Sequence, residues 1–442
     1  MMIKKQRLSS WAWVPSLYFM EGLPYVMVMS VSVVLYQRLG MSNADITYYT
    51  GWLYLPWVIK PFWSPFVDLL KTKRMWIVSM QLLIGAALAG VAFTIPASFY
   101  IRASLAFFWL TAFASATHDI AADGFYMLAL DEHDQSFFVG IRSSFFKLSV
   151  MFGQGTLIYI AGMLEESARL SNLFGTKHIP YVWCLIFFFT AGLCIAFFLY
   201  HRFILPKPAS DRPQKNITAK QLAVGFLQTG ISFFRKKGIV PAVLFLFLFR
   251  FAEAQITKLI PLFLLDKRIN GGLELTTKEE GLTYGTIGAV SLALGGISGG
   301  IAIAKKGLKY WIWPMVLSLN LPNLVYIYLS QFQPQNLFLI NVAVGIEQFG
   351  YGFGFTAYTM FMIYFSIGEN KTTHYAICTA FMALGMMLPG MMAGKIQERI
   401  GYPDFFVWIM ICTIPCFIIT AFLKIDSGFG EKTENKRNAE MR

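Results

Sequence analysis

Apolar runs long enough to cross a bilayer recur along almost the whole 442-residue chain. A membrane-spanning helix needs about 20 such residues. Twelve stretches meet that ruler, near 12–37, 44–69, 76–97, 99–130, 137–163, 179–204, 239–265, 281–304, 310–331, 336–367, 374–397 and 402–423. Inside hydrocarbon a backbone must satisfy its own hydrogen bonds, so runs of this length predict an all-helical membrane protein. Composition agrees: 56% of the residues are hydrophobic and 14% charged, against about 25% charged in soluble domains. An ordinary soluble enzyme, a disordered chain and a nucleic-acid binder are all excluded. The five cysteines, Cys184, Cys194, Cys378, Cys412 and Cys416, lie inside apolar runs and read as core, with neither a disulfide framework nor a metal site. The apolar run after the basic start outlasts a signal-peptide core and reads as the first helix.

The net charge of +13 is read as loop orientation at a membrane. With the N-terminus cytoplasmic, loops and tails on that side carry 23 Lys and Arg against nine opposite, with five inside helices. The positive-inside rule thus predicts two cytoplasmic termini. The longest polar stretch, Pro206 to Lys237, divides the chain. The expected organisation is a six-helix bundle over 1–205, a linker over 206–237, a second bundle over 238–425 and a polar tail over 426–442. Leu222, Phe226, Leu227, Ile231 and Phe234 could give the linker an amphipathic surface helix.

The halves read as a duplication. A shift of 235 residues lays Tyr49 on Tyr284, Trp76 on Trp311, Ala122 on Ala357, Met127 on Met362, Phe146 on Phe381 and Gly155 on Gly390. It also lays Lys71 and Arg74 over Lys306 and Lys309. Parallel six-helix repeats are the architecture of major facilitator transporters.

Ten charged residues sit well inside these spans: Glu21, Asp119, Asp123, Glu253 and Glu347, with Lys60, Arg142, Lys147, Arg250 and Lys258. Facing lipid, each would cost roughly 2.5–3.5 kcal/mol. The sum, on the order of 30 kcal/mol, exceeds the usual net stability of a fold, so they are expected to face a polar interior. Thr111, Ser115, Asp119 and Asp123 recur every four residues and form one stripe, with His118 beside it. Two carboxylates one turn apart repel when both are ionised, which suits a group that takes and gives a proton. The plainer reading is an ion pair with Arg142 or Lys147. Glu21 has no local partner, whereas Glu253 has Arg250 three residues before it. Pro24 and Pro261 can loosen the helices that carry Glu21 and Glu253. Lys60 shares a face with Trp57, a pairing suited to sugar or carboxylate recognition. Gly295, Gly296, Gly299 and Gly300 make two small-xxx-small pairs for helix packing. No G-x-x-x-x-G-K-[ST] loop occurs, so an ion gradient is the expected driver. One charge crossing 100 mV yields about 2.3 kcal/mol, roughly fiftyfold in accumulation.

Three stretches carry a family resemblance: Phe19-Met20-Glu21-Gly22-Leu23-Pro24; the run from Leu55 to Asp68, with Lys60-Pro61-Phe62-Trp63-Ser64-Pro65 at its centre; and Ala116-Thr117-His118-Asp119-Ile120-Ala121-Ala122-Asp123. With Gly140-Ile141-Arg142, they resemble the AmpG-type muropeptide permeases and the related acetyl-CoA transporters of the major facilitator superfamily. The resemblance is specific over about the first 155 residues. It implies proton-driven uptake across a bacterial inner membrane, with Lys60, Asp119, Asp123 and Arg142 as cavity residues. Phe125-Tyr126-Met127-Leu128 is uncharged where those permeases carry charges, and Glu21 stands where they have a small residue. Both departures argue for a different substrate.

The sequence therefore leads to a twelve-helix secondary transporter with no cofactor, a monomeric proton symporter importing a cell-wall- or glycan-derived saccharide of the muropeptide or amino-sugar class. Asp119, Asp123 and Glu21 are the expected proton-coupling residues. Glu21, Tyr25, Trp57, Lys60, Arg142 and Lys147 are expected to bind solute, with Glu253 and Glu347 facing them from the second half. Partners are the solute, protons and the bilayer. The alternatives are uptake of acyl-CoA or another anionic metabolite and, remotely, a membrane acyltransferase using His118 and Asp119 as a base pair.

Overall fold

The structure is a computed structural model describing residues 2–212, 228, 230–368 and 371–431. Half of the expected linker, including Leu222, Phe226 and Leu227, lies outside the described residues, as does the tail from 432 onward.

Among the described residues, eight helices are long and apolar enough to cross a membrane. Two of these are double. Thr277–Phe332 turns at Gly307 and Thr373–Ala421 at Gly401, where φ is 74° and 79°. At these angles a Cβ would strain the backbone, so glycine ends one helix and starts the next. Two further helices bring the total to the expected twelve. One carries Arg102, Asp119 and Asp123, and the other breaks near its middle, between Asn43–Trp52 and Leu55–Leu70. In chain order the twelve are α1 (Ser10–Arg38), α2 (43–70), α3 (Lys73–Thr94), α4 (Tyr100–Ala129), α5 (132–165), α6 (His178–Ile204), α7 (Ile239–Leu265), α8 (277–306), α9 (308–332), α10 (Leu337–Ser366), α11 (371–400) and α12 (402–421).

The starts of α2 to α5, at 43, 73, 100 and 132, recur in α8 to α11 at 277, 308, 337 and 371. Each pair is offset by 234 to 239 residues, the duplication read from the sequence. Phe93, Phe203 and Phe338 are at least 73% exposed. Such apolar surface is solvated by acyl chains, and in water it would drive aggregation.

The chain divides into two compact units, residues 1–40 with 53–225, and 41–52 with 226–442. In the first, α1 packs along α5, and α3 lies against α4 and α6. A Cβ on Gly22 would stand 2.0 Å from Ser149 Oγ and 2.9 Å from Phe146 O. Only a glycine lets α1 come this close to α5, and that approach sets the neighbours of Glu21. Just beyond Pro24, Met27–Val31 winds as a π-helix, and α5 has a second such turn at Phe152–Leu157. In the second unit, α10 runs along α8 and α9, while residues 43–52 pack on α11. There α7 breaks at Phe249–Arg250, eleven residues before Pro261.

Candidate functional site

The α4 stripe holds in three dimensions, and it faces partners from three other helices. Lys60 Nζ of α2 lies 2.5 Å from Asp119 Oδ2, and Arg142 Nη2 of α5 lies 3.0 Å from Asp123 Oδ1. The Tyr18 hydroxyl of α1 donates to the same Asp123 oxygen at 3.3 Å. The Arg142 guanidinium stacks on two aromatic faces, 4.6 Å from the ring centre of Tyr18 and 5.1 Å from that of Tyr126. Glu21, buried at 8% exposure, brings its carboxyl next to those of Asp119 and Asp123 while its Oε2 has no hydrogen-bond partner. Carboxylates gathered this closely repel when all are ionised, an arrangement suited to taking up a proton.

This cluster therefore contains three acids, Glu21, Asp119 and Asp123, and two bases, Lys60 and Arg142. One of its ion pairs, Arg142 with Asp123, is of the kind the plainer reading described, and the other, Lys60 with Asp119, comes from α2 instead. One carboxyl is left over. Lys60 and Arg142 keep 27% and 28% of their side-chain surface exposed, so the pairs are reachable while Glu21 is sealed. Beside them Tyr25 meets Trp57 edge-on, with ring centres 5.4 Å apart, and lies 6.0 Å from Phe146. That corner offers flat apolar faces next to two cations.

The second unit has its own buried acids. Glu253 accepts from the Thr257 hydroxyl at 2.9 Å, and Arg250 donates to the Tyr351 hydroxyl while stacking 4.9 Å from the Phe355 ring centre. Glu347 Oε2 accepts from the Tyr326 hydroxyl at 2.8 Å and from the Gln348 amide at 3.0 Å. Lys258 is buried on another face, where its Nζ reaches Thr50 Oγ1 at 3.2 Å. Among the described residues no group of three or more His, Cys, Asp and Glu could hold a metal ion.

The Major Facilitator Superfamily pattern matches residues 16–373. The chain belongs to that superfamily. Its curated relatives include the anhydromuropeptide permease of Escherichia coli, 23% identical, with 91% of this chain and 77% of that protein covered. An uncharacterized protein of Haemophilus influenzae is 24% identical over 93% of this chain and 94% of its own length. Among solved structures, a D-xylose-proton symporter covers 96% of this chain and 99% of its own at a TM-score of 0.67 and 13% identity, which establishes the shared fold. The AmpG-type resemblance stands. As a major facilitator the chain is a multi-pass carrier of small solutes, which sets aside the acyltransferase.

His118 is accounted for within that fold. Its Nε2 lies 3.0 Å from Gln81 Nε2 of α3, whose Oε1 meets His201 Nδ1 of α6 at 3.0 Å, and His201 Nε2 meets Ser16 Oγ of α1 at 2.9 Å. The chain of contacts ties four helices of the carrier together. Lys147, expected beside solute, is exposed and forms no hydrogen bond or ion pair among the described residues. Sequence reasoning missed Tyr126 and Tyr326 as site residues. Tyr126 stands three residues after Asp123 and Tyr18 three before Glu21, so the helical i, i+3 rule was the available signal.

Proposed function

We propose that the protein is a proton symporter of a bacterial inner membrane, importing a saccharide of the muropeptide or amino-sugar class by alternating access. The observation that carries this reading is the first unit's cluster, where three acids share two partly exposed bases. Each ion pair is also a latch. Protonating Asp119 frees the Lys60 ammonium, and protonating Asp123 frees the Arg142 guanidinium, for acceptor groups on a solute. Arg142 presents a planar fork suited to a carboxylate, and its two tyrosine faces hold that fork in place. Tyr25 and Trp57 offer aromatic faces for the apolar side of a sugar ring. Proton and solute occupancy are coupled because each alters what the same bases contact.

Counterflow in proteoliposomes tests the substrate class. Vesicles preloaded with unlabelled anhydromuropeptide are expected to accumulate the labelled compound transiently, and those preloaded with acetyl-CoA to accumulate no labelled acetyl-CoA. The reverse outcome would move the assignment to anionic acyl carriers.

A further inference from the structure

Buried polar atoms without partners collect in the second unit. Glu253 Oε2, Glu280 Oε2, Glu347 Oε1, Asn320 Oδ1 and both amide atoms of Asn323 lack a hydrogen-bond partner, although each of these side chains is at most 1% exposed. Leaving one such group unmet costs about 1–3 kcal/mol, and a bare charge costs far more. Glu347 is the most informative of them. Both of its donors, Tyr326 and Gln348, meet Oε2, and Oε1 is left bare. The charged group acting on it is another acid, Glu253 of α7. Tyr284 of α8 and Tyr326 of α9 face the same pair of carboxyls, and Tyr284 also senses Glu280. Arg250 lies beside Glu253, donates to Tyr351 and stacks on Phe355. An ionised carboxylate accepts on both oxygens and seeks a cation, whereas a carboxylic acid accepts on one oxygen and carries its proton on the other. The second description fits Glu347. The cation it holds is a proton rather than a metal, since the described residues offer no metal-binding group. Asn323, one turn before Tyr326 on α9, adds an unmet amide as a place for water on the way in.

We infer that Glu347 is a second proton-binding carboxyl of the carrier, housed in the second unit and fixed by the Tyr326 hydroxyl. A hydronium ion gives its proton to the bare Oε1, its O–H bond breaking to leave water as the new O–H bond forms, and the reverse transfer to water restores the carboxylate. Together with the surplus acid of the Glu21 cluster, this gives two candidate proton sites, one in each unit. A part for Glu347 in transport rests on the symport reading, but its protonation does not.

Infrared spectroscopy of the purified full-length protein in lipid, without solute, separates the two. The protonated acid's carbonyl stretch, identified by its shift in deuterium oxide, is expected in the wild type near neutral pH and is lost in Glu347→Gln. Tyr326→Phe is expected to shift that band's frequency without removing it, and this decides the matter where Glu347→Gln does not fold. Loss of a carboxylate band in place of the acid band would overturn the inference, as would an acid band unmoved in Tyr326→Phe. An acid band that vanishes when sodium chloride replaces choline chloride would also overturn it, in favour of a metal cation. Failure of proton-driven uptake with the band intact would remove the symport reading and leave the site.

Discussion

Asp119→Asn abolishes accumulation of solute against a gradient while leaving the protein folded. Asp119 is the junction of the first unit's cluster, contacting Lys60 at 2.5 Å on one side and the sealed carboxyl of Glu21 on the other. An amide keeps the shape but does not take up the proton. The reciprocal change, Lys60→Ala, strands Asp119 beside Glu21 with no cation. Removing one partner of a buried pair costs on the order of 3 kcal/mol, and a loss of that size in a coupled step slows it more than about a hundredfold. The double variant Lys60→Gln with Asp119→Asn is expected to regain the lost stability without regaining transport. Uptake into energised vesicles, paired with thermal unfolding of the same preparations, distinguishes these outcomes. Accumulation at the wild-type level in Asp119→Asn would refute a coupling role for the pair.

Gly352→Val is expected to unfold or grossly loosen the second unit. A Cβ at 352 would stand 2.0 Å from Leu292 O and 3.0 Å from the Gly296 backbone nitrogen, and one at 295 would stand 2.1 Å from Phe349 O. The backbones of α8 and α10 therefore touch. Forcing extra atoms into so tight a contact costs about 3 kcal/mol or more, because a carbonyl on a packed helix has no side-chain freedom with which to retreat. Gly300 is the internal control, since a Cβ there meets nothing within 4 Å. Thermal unfolding in detergent should fall by several degrees for Gly352→Val and stay near wild type for Gly300→Ala. Equal behaviour of the two would contradict the packing described.

These contrasts mark where the sequence is readable. Asp119 and Asp123 stand out because a charge in an apolar span is costly, and their four-residue spacing places them on one face whatever surrounds them. The helix count follows from length alone, although α2 and α4 are the spans that a hydropathy scan finds hardest, one broken at mid-length and the other charged for its chemistry. The glycines show the limit of spacing. Gly295 and Gly299 form one small-residue pair and Gly296 and Gly300 another, yet a Cβ on Gly295 or Gly299 would run into α10 while one on Gly300 meets nothing within 4 Å. Tyr326 is illegible for a related reason: tyrosine serves interface, core and site alike, and its role here depends on its hydroxyl meeting Glu347 from another helix. Lys147 shows another limit: its side chain is exposed, and a charge in an apolar span does not by its position say which neighbours it meets.

The central claim is that a proton and a solute enter together, and one measurement addresses it directly. De-energised, weakly buffered vesicles holding the protein are given anhydromuropeptide while a dye follows external pH. The account predicts that the medium turns alkaline as solute enters, and that the signal disappears in Asp119→Asn. Solute entry with no change in external pH would contradict it.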